Sequence, residues 1–208
     1  MDVRRISTPL TREQKLAVLP VATVKAQERV LHSDEDALVE QYIVTAFDHL
    51  HGPNGWLNGY CLLEEEFEFF PGAIYATTDL PLRPVEDDLG VTLERRLARG
   101  AYQAVGTGDY MVAALDQTTV LARLTTTGFA PQAGVIDPRE YRITFKAGHA
   151  TPEEVPSPLV QAMLLLAGHW YQNREASVSD PRVSNVSKKV EYGLQALAGR
   201  YRFSPDHS

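Results

Sequence analysis

Apolar and polar positions alternate with a helical period in the first quarter of the chain. From Ser33 onward, Leu38, Val39, Tyr42, Ile43, Ala46, Phe47 and Leu50 fall within one half of a helical wheel. Glu40, Gln41 and Asp48 lie on the other half, so the segment predicts an amphipathic helix. Ser33 is a candidate N-cap, and Asp34, Glu35 and Asp36 suit the positive end of the helix dipole. Gly52-Pro53-Asn54-Gly55 stops the helix. Val21–Val30 reads as a shorter helix after Pro20, and Met1–Gln14 has no period and reads as an extended arm.

The period then changes to two. Tyr60–Phe70, Val91–Leu97, Tyr110–Leu115, Thr119–Thr125 and Tyr141–Lys146 read as strands. Turn residues separate them at Pro81, Pro84, Gly106-Thr107-Gly108-Asp109, Gly128, Gly134, Asp137-Pro138 and Gly148. Trp56–Gly148 is thus expected to be a small antiparallel β region.

Helical periodicity returns after Ser157, a candidate cap, with Pro158 at a tolerated first position. Over Pro158–Ala176, Leu159, Val160, Met163, Leu164, Leu166, Ala167, Trp170 and Tyr171 cover nearly half the circumference, which marks a central core helix. Arg174 falls back on the apolar side, where it could pair with an acid or cap a carbonyl. Ser177–Ser187 reads as a loop. Val190–Tyr201 reads as a second, shorter helix with Leu194 and Leu197 on one side, weakened by Gly193 and Gly199.

Helices, then strands, then helices argue for an α+β fold, a helical bundle frame (an N-terminal helix pair and a long C-terminal helix) with an inserted antiparallel β region. The expected divisions are an arm over residues 1–19, frame helices over 20–55, a β-rich insertion over 56–150 and C-terminal helices with a tail over 151–203.

Composition narrows the function. The 208 residues are 44% hydrophobic and 23% charged, as in a globular domain with a core. The single cysteine, Cys61, excludes an internal disulfide and suits a reducing compartment, with the cytoplasm as default. No apolar run reaches the ~18 residues of a membrane span. Met1–Gln14 carries arginines without an apolar core and does not read as a secretory signal. The net charge of −7 argues against a dedicated nucleic-acid binder. Its distribution is uneven: Arg182, Lys188, Lys189, Arg200 and Arg202 face only Glu191, a balance of +4 over Arg182–Arg202. With Asp206 adding −1, residues 1–181 carry −10, so an acidic body ends in a basic tail, which reads either as suited to an acidic surface or as a solvated terminal segment.

Catalytic patterns are sparse. Neither GxxxxGK[ST] nor GxGxxG occurs, and HExxH and GxSxG are also missing. The scattered histidines and one cysteine give no metal-ligand spacing, and no cofactor is expected. Glu64, Glu66 and Glu68 would share one strand face, mostly solvated, opposite Cys61, Leu63, Phe67 and Phe69, with Glu65 as the misfit. An enzyme using Glu64, Glu66 and Glu68 with His169 and Glu175 is the second reading, and a host protein-binding module the third.

Pro156-Ser157-Pro158-Leu159-Val160-Gln161-Ala162-Met163-Leu164-Leu165-Leu166-Ala167-Gly168-His169-Trp170-Tyr171-Gln172-Asn173-Arg174-Glu175-Ala176 resembles the signature helix of phage head-to-tail connector (adaptor) proteins of the gp6-like group with a β insertion. Val24-Lys25-Ala26 through Val39 resembles the N-terminal helix pair, and Leu80–Val85 the proline-rich strand entry of that family. Ile143–Gly148 resembles its last strand, and Gly193–Leu197 with Tyr201-Arg202 its C-terminal end. Residues 86–132 follow no pattern of the family. The resemblance implies a ring, commonly a dodecamer, beneath the portal protein, with a downstream tail or stopper protein as the next partner. It implies a virion component at the head–tail interface, assembled in the host cytoplasm, with DNA passing through the channel unbound and no membrane partner. It implies no catalytic residues. The assembly or portal contacts expected on this basis are Arg174, Glu175, Lys188, Lys189, Arg200, Tyr201, Arg202 and Phe203.

Overall fold

The computed structural model describes residues 2–85, 90–96, 100–115, 118–124, 129, 139–174 and 181–202. The chain forms an α+β fold of two units. A helical unit comprises Leu10–Leu62 and Ala150–Ser208, and a β unit comprises Met1–Pro9 and Leu63–His149.

The helical unit begins with α1 (Arg12–Val18), a short helix absent from the sequence expectation. A capping box holds it. The Thr11 hydroxyl accepts from the Gln14 N–H, and the Thr11 N–H donates to Gln14 Oε1 at 2.7 Å. Next come α2 (Val21–Glu28), closed by Arg29 in the left-handed region at φ 57°, and α3 (Asp36–Leu50). The apolar stripe of α3 is its core face, with Ile43, Ala46, Phe47 and Leu50 fully buried. Ser33 does not cap this helix. Its carbonyl closes a turn with the Asp36 N–H, and Glu35 holds the cap position.

After α3 the chain stays irregular. The Gly52 N–H donates to the Tyr60 carbonyl and the Leu62 N–H to His51 Nδ1, so Gly52–Leu62 folds back on the helix end. The strand expected to begin at Tyr60 therefore begins only at Glu65. The long apolar helix is α4 (Ser157–Gln172), packed against α3, with Leu159, Ala162, Met163 and Ala167 fully buried. Pro156 occupies its cap position and Ser157 is its first residue. The last helix, α5 (Pro181–Ala198), corrects a second expectation: residues 181–187, read as loop, are helical. Val183, Val186, Val190, Leu194 and Leu197 recur at intervals of three and four, a signal that the intervening serines hid. Residues 177–180 lie outside the described residues.

Among the described residues, the β unit holds two antiparallel sheets. Its strands are β1 (Val3–Arg5), β2 (Glu65–Phe69), β3 (Thr77–Asp79), β4 (Thr92–Arg96), β5 (Tyr102–Ala104), β6 (Tyr110–Leu115), β7 (Thr118–Arg123) and β8 (Tyr141–Ala147). One sheet has the order β1-β2-β8-β4-β5 and the other β3-β7-β6. The supposed arm contributes β1, whose Val3–Arg5 run antiparallel to Phe69–Phe67. Phe67, Phe145, Ile143, Leu93 and Tyr141 share one buried face of the five-stranded sheet. Gly148 then turns the chain at φ +116°, where any Cβ would collide with the Leu63 carbonyl.

Candidate functional site

The assembly residues expected from the sequence fall in the helical unit, at the end of α4 and at the C-terminal turn. Arg174 forks onto Glu35, with Nη1 to Oε1 at 2.6 Å and Nη2 to Oε2 at 2.8 Å. Its Nε donates to the Tyr171 carbonyl at 3.2 Å, so it both pairs with an acid and caps a carbonyl. The Tyr171 hydroxyl donates to the same Glu35 carboxylate. The Arg174 hydrogen bonds, then that of Tyr171, hold the Glu35 carboxyl down to about 2. The bond to Glu35 also raises the Tyr171 phenol. Arg174 is thus engaged inside its own subunit.

The C-terminal turn Gly199–Tyr201 is anchored in a similar way. The Tyr201 ring meets Tyr60 edge-on at 5.5 Å, and the Arg202 guanidinium lies 5.0 Å from the Trp56 ring centroid. Arg200 stacks on Tyr201 and donates to its hydroxyl. Lys188 and Arg200 are exposed. Glu175, Phe203 and the Lys189 side chain lie outside the described residues. The basic segment is therefore held on the aromatic residues that follow α3, with Lys188 and Arg200 turned to solvent.

His169 lines a groove of 230 Å³ with Gln27, Glu28, Leu165, Gly168, Gln172 and Val190. Its Nδ1 lies 3.1 Å from Asn173 Nδ2, and burial lowers its pKa. The acid in this groove is Glu28, whose carboxylate accepts from Gln172 Nε2 and lies over Gly168. Among the described residues, no group of three or more His, Cys, Asp or Glu could hold a metal ion.

The glutamates of the second reading belong to the β unit and are built into its sheet. Glu68 is buried, contrary to the solvated face expected for it. Its carboxylate bridges Arg4 at 2.7 Å and Arg142 at 3.2 Å, and Arg142 continues to Glu94 at 2.6 Å. This ladder lets the sheet cover a carboxylate on its polar face, because both oxygens gain guanidinium partners. Glu65 sits on the apolar face, buried and paired with Arg5 at 2.9 Å. Glu64 pairs with Lys146 at 2.9 Å. Carboxylates committed this way are structural ties. Glu35, Glu28, Trp56 and Tyr60 escaped the sequence reading. Arg174 and Glu35 stand 139 residues apart, beyond any local pattern.

No protein-family model and no curated protein matches the chain. Solved structures do. A chain in the neck of an empty gene transfer agent (GTA) particle computed with C6 symmetry superposes with a TM-score of 0.68 at 21% identity. The match covers 98% of this chain and 96% of that one. A chain in the virion of a native gene transfer agent particle gives 0.67 at 21% identity, with the same coverage. A chain in the neck of a native GTA particle computed with C12 symmetry gives 0.62 at 20% identity, again over 98% and 96%. The helical frame and its β insertion are thus the fold of chains found in these particles.

Proposed function

We propose that this chain is a structural subunit of the neck of a phage-like particle, a connector of the gp6-like kind. In this reading it forms a ring of copies, commonly twelve, under the portal protein and extends the DNA channel toward the tail or stopper. The observation that carries the reading is the end-to-end match, over 98% of the chain, to chains of GTA necks and virions. A protein with this role does no chemistry, in keeping with glutamates tied up as ion pairs in the sheet.

Charge supports the same reading. A body of −10 over residues 1–181 repels phosphates and lets DNA slide past without gripping it. The basic segment from Arg182 to Arg202, with Lys188 and Arg200 exposed, suits an acidic portal face. Residues Arg174, Glu175, Lys189, Tyr201, Arg202 and Phe203 complete the proposed docking end.

The test is to purify particles from producing cells and locate the chain by cryo-electron microscopy. The expected result is a ring at the neck. Particles that lack the chain would sink the proposal. Submicromolar binding of the free chain to duplex DNA at physiological salt would also count against it.

A further inference from the structure

Among the described residues, the two sheets of the β unit leave four edges, and one is unlike the rest. Strands β1, β3 and β5 are three residues long, and β1 and β3 carry Arg4, Arg5 or Asp79. Short, charged edges do not pair open-endedly and need a longer apolar edge as their partner. The fourth edge, β6, is six residues, Tyr110-Met111-Val112-Ala113-Ala114-Leu115, with no charge, proline or glycine.

Hydrogen bonding fixes what this edge offers. The Leu124 N–H donates to the Asp109 carbonyl at 2.8 Å. In an antiparallel ladder this makes 109, 111, 113 and 115 the residues bonded to β7. Tyr110, Val112 and Ala114 then turn their N–H and C=O groups to the open side.

Exposed apolar side chains collect at the same end of this sheet. Met111, Ala122 and Thr77 are in register across β6, β7 and β3. Met111 is 45% exposed, and Leu124, two residues beyond Ala122 on the same face, is 55% exposed. Tyr75, 69% exposed, just precedes β3 at that end, where the Ala76 carbonyl accepts from the Arg123 N–H. Three of the large apolar side chains that water reaches thus lie across one end of this sheet, from Tyr75 at the β3 edge to Met111 on the β6 edge.

The geometry points to a second copy of this chain as the occupant, its β3 edge laid along β6; this rests on the ring proposed above. Both β3 and β6 run antiparallel to β7, so they run in one direction on opposite edges of one sheet. A rotation that repeats the sheet brings β6 of one copy beside β3 of the next, in parallel. Such a head-to-tail contact closes into a ring when the rotation divides a full turn. The GTA necks computed with C6 and C12 symmetry are assemblies of that kind of rotation. The pairing also sets one copy's Tyr75 against its neighbour's Met111, covering both.

The test uses the full chain, in solution and in particles, with Met111→Cys carrying a maleimide photocrosslinker. Cys61 is buried and stays unlabelled. The expected result is a crosslink between copies, from position 111 to the segment Tyr75–Asp79 of another copy. Val112→Pro removes one outward N–H and leaves the ladder to β7 intact. It is expected to abolish that crosslink with an unchanged circular dichroism spectrum. Met111→Lys is expected to weaken assembly at least tenfold. Crosslinks confined to one copy, including its own residues 125–138, would overturn the inference, as would a crosslink that survives Val112→Pro. A chain present in particles without the crosslink refutes this contact alone, whereas a chain missing from particles refutes the neck assignment.

Discussion

Charge is handled differently in the two units. In the helical unit the core is apolar and the ion pairs lie at the rim. Arg12–Glu40, Lys15–Asp48, Lys25–Asp36 and Arg174–Glu35 hold carboxylates whose side chains are 28% to 53% exposed. In the β unit the ladder Arg4–Glu68–Arg142–Glu94 crosses four of the five strands and leaves Glu68 only 8% exposed. Water screens the rim pairs, so they add little and can be exchanged during evolution or assembly. The covered carboxylate of Glu68 depends on its partners, because burial without them would be costly. The helical unit is therefore held by apolar packing, and the larger sheet by packing on one face and charge pairing on the other.

The sharpest way to break this contrast is Phe47→Ala. The side chain is fully buried in α3, and its loss should cost about 3–5 kcal/mol through lost burial and a residual cavity. Denaturant unfolding measures it. A loss under about 1 kcal/mol would mean that α3 does not anchor the helical core. Second comes Glu68→Ala beside Glu40→Ala. Removing Glu68 strands Arg142 with Glu94 alone and should cost about 2 kcal/mol, less than a fully buried pair because Arg4 reaches water. Removing Glu40 at the rim should cost about 0.5 kcal/mol or less. Equal losses from the two would erase the distinction between the units.

The same contrast governs what could be read from sequence. The stripe Val39, Ile43, Ala46, Phe47, Leu50 and the apolar arc of α4 give away two helices, because burial by packing writes a period into the chain. Strands β4, β6, β7 and β8 were legible from alternation for the same reason. The reading failed where burial is achieved by pairing. Glu68 looks solvated in isolation and Glu65 looks misplaced on its apolar face, and only pairing with Arg4, Arg142 and Arg5 on other strands accounts for their burial. It also failed at α1, whose seven residues owe their start to a local capping box, and at the first turns of α5, where serines dilute the stripe. The clamp on Arg174 was half visible. Its side of the wheel implied a partner, but Glu35 comes from a different helix start.

That clamp supplies the smallest effect and a pH signature. Glu35 has an ordinary carboxyl value of 4.5 and is held at about 2 in the folded chain, chiefly by Arg174 and then by Tyr171. A carboxyl depressed on folding stabilises the native state above its unfolded value and loses that contribution as the folded group protonates. The melting temperature of the native chain should therefore exceed that of Arg174→Met by about 1–3 °C at neutral pH, a modest gap because solvent reaches the pair. The gap should begin to close below about pH 4.5 and vanish near pH 2, since a protonated Glu35 no longer distinguishes arginine from methionine. A gap that stays constant over the acid limb would assign the Arg174 contribution to its stacking 4.5 Å from the Tyr171 ring centroid instead of to the ion pair.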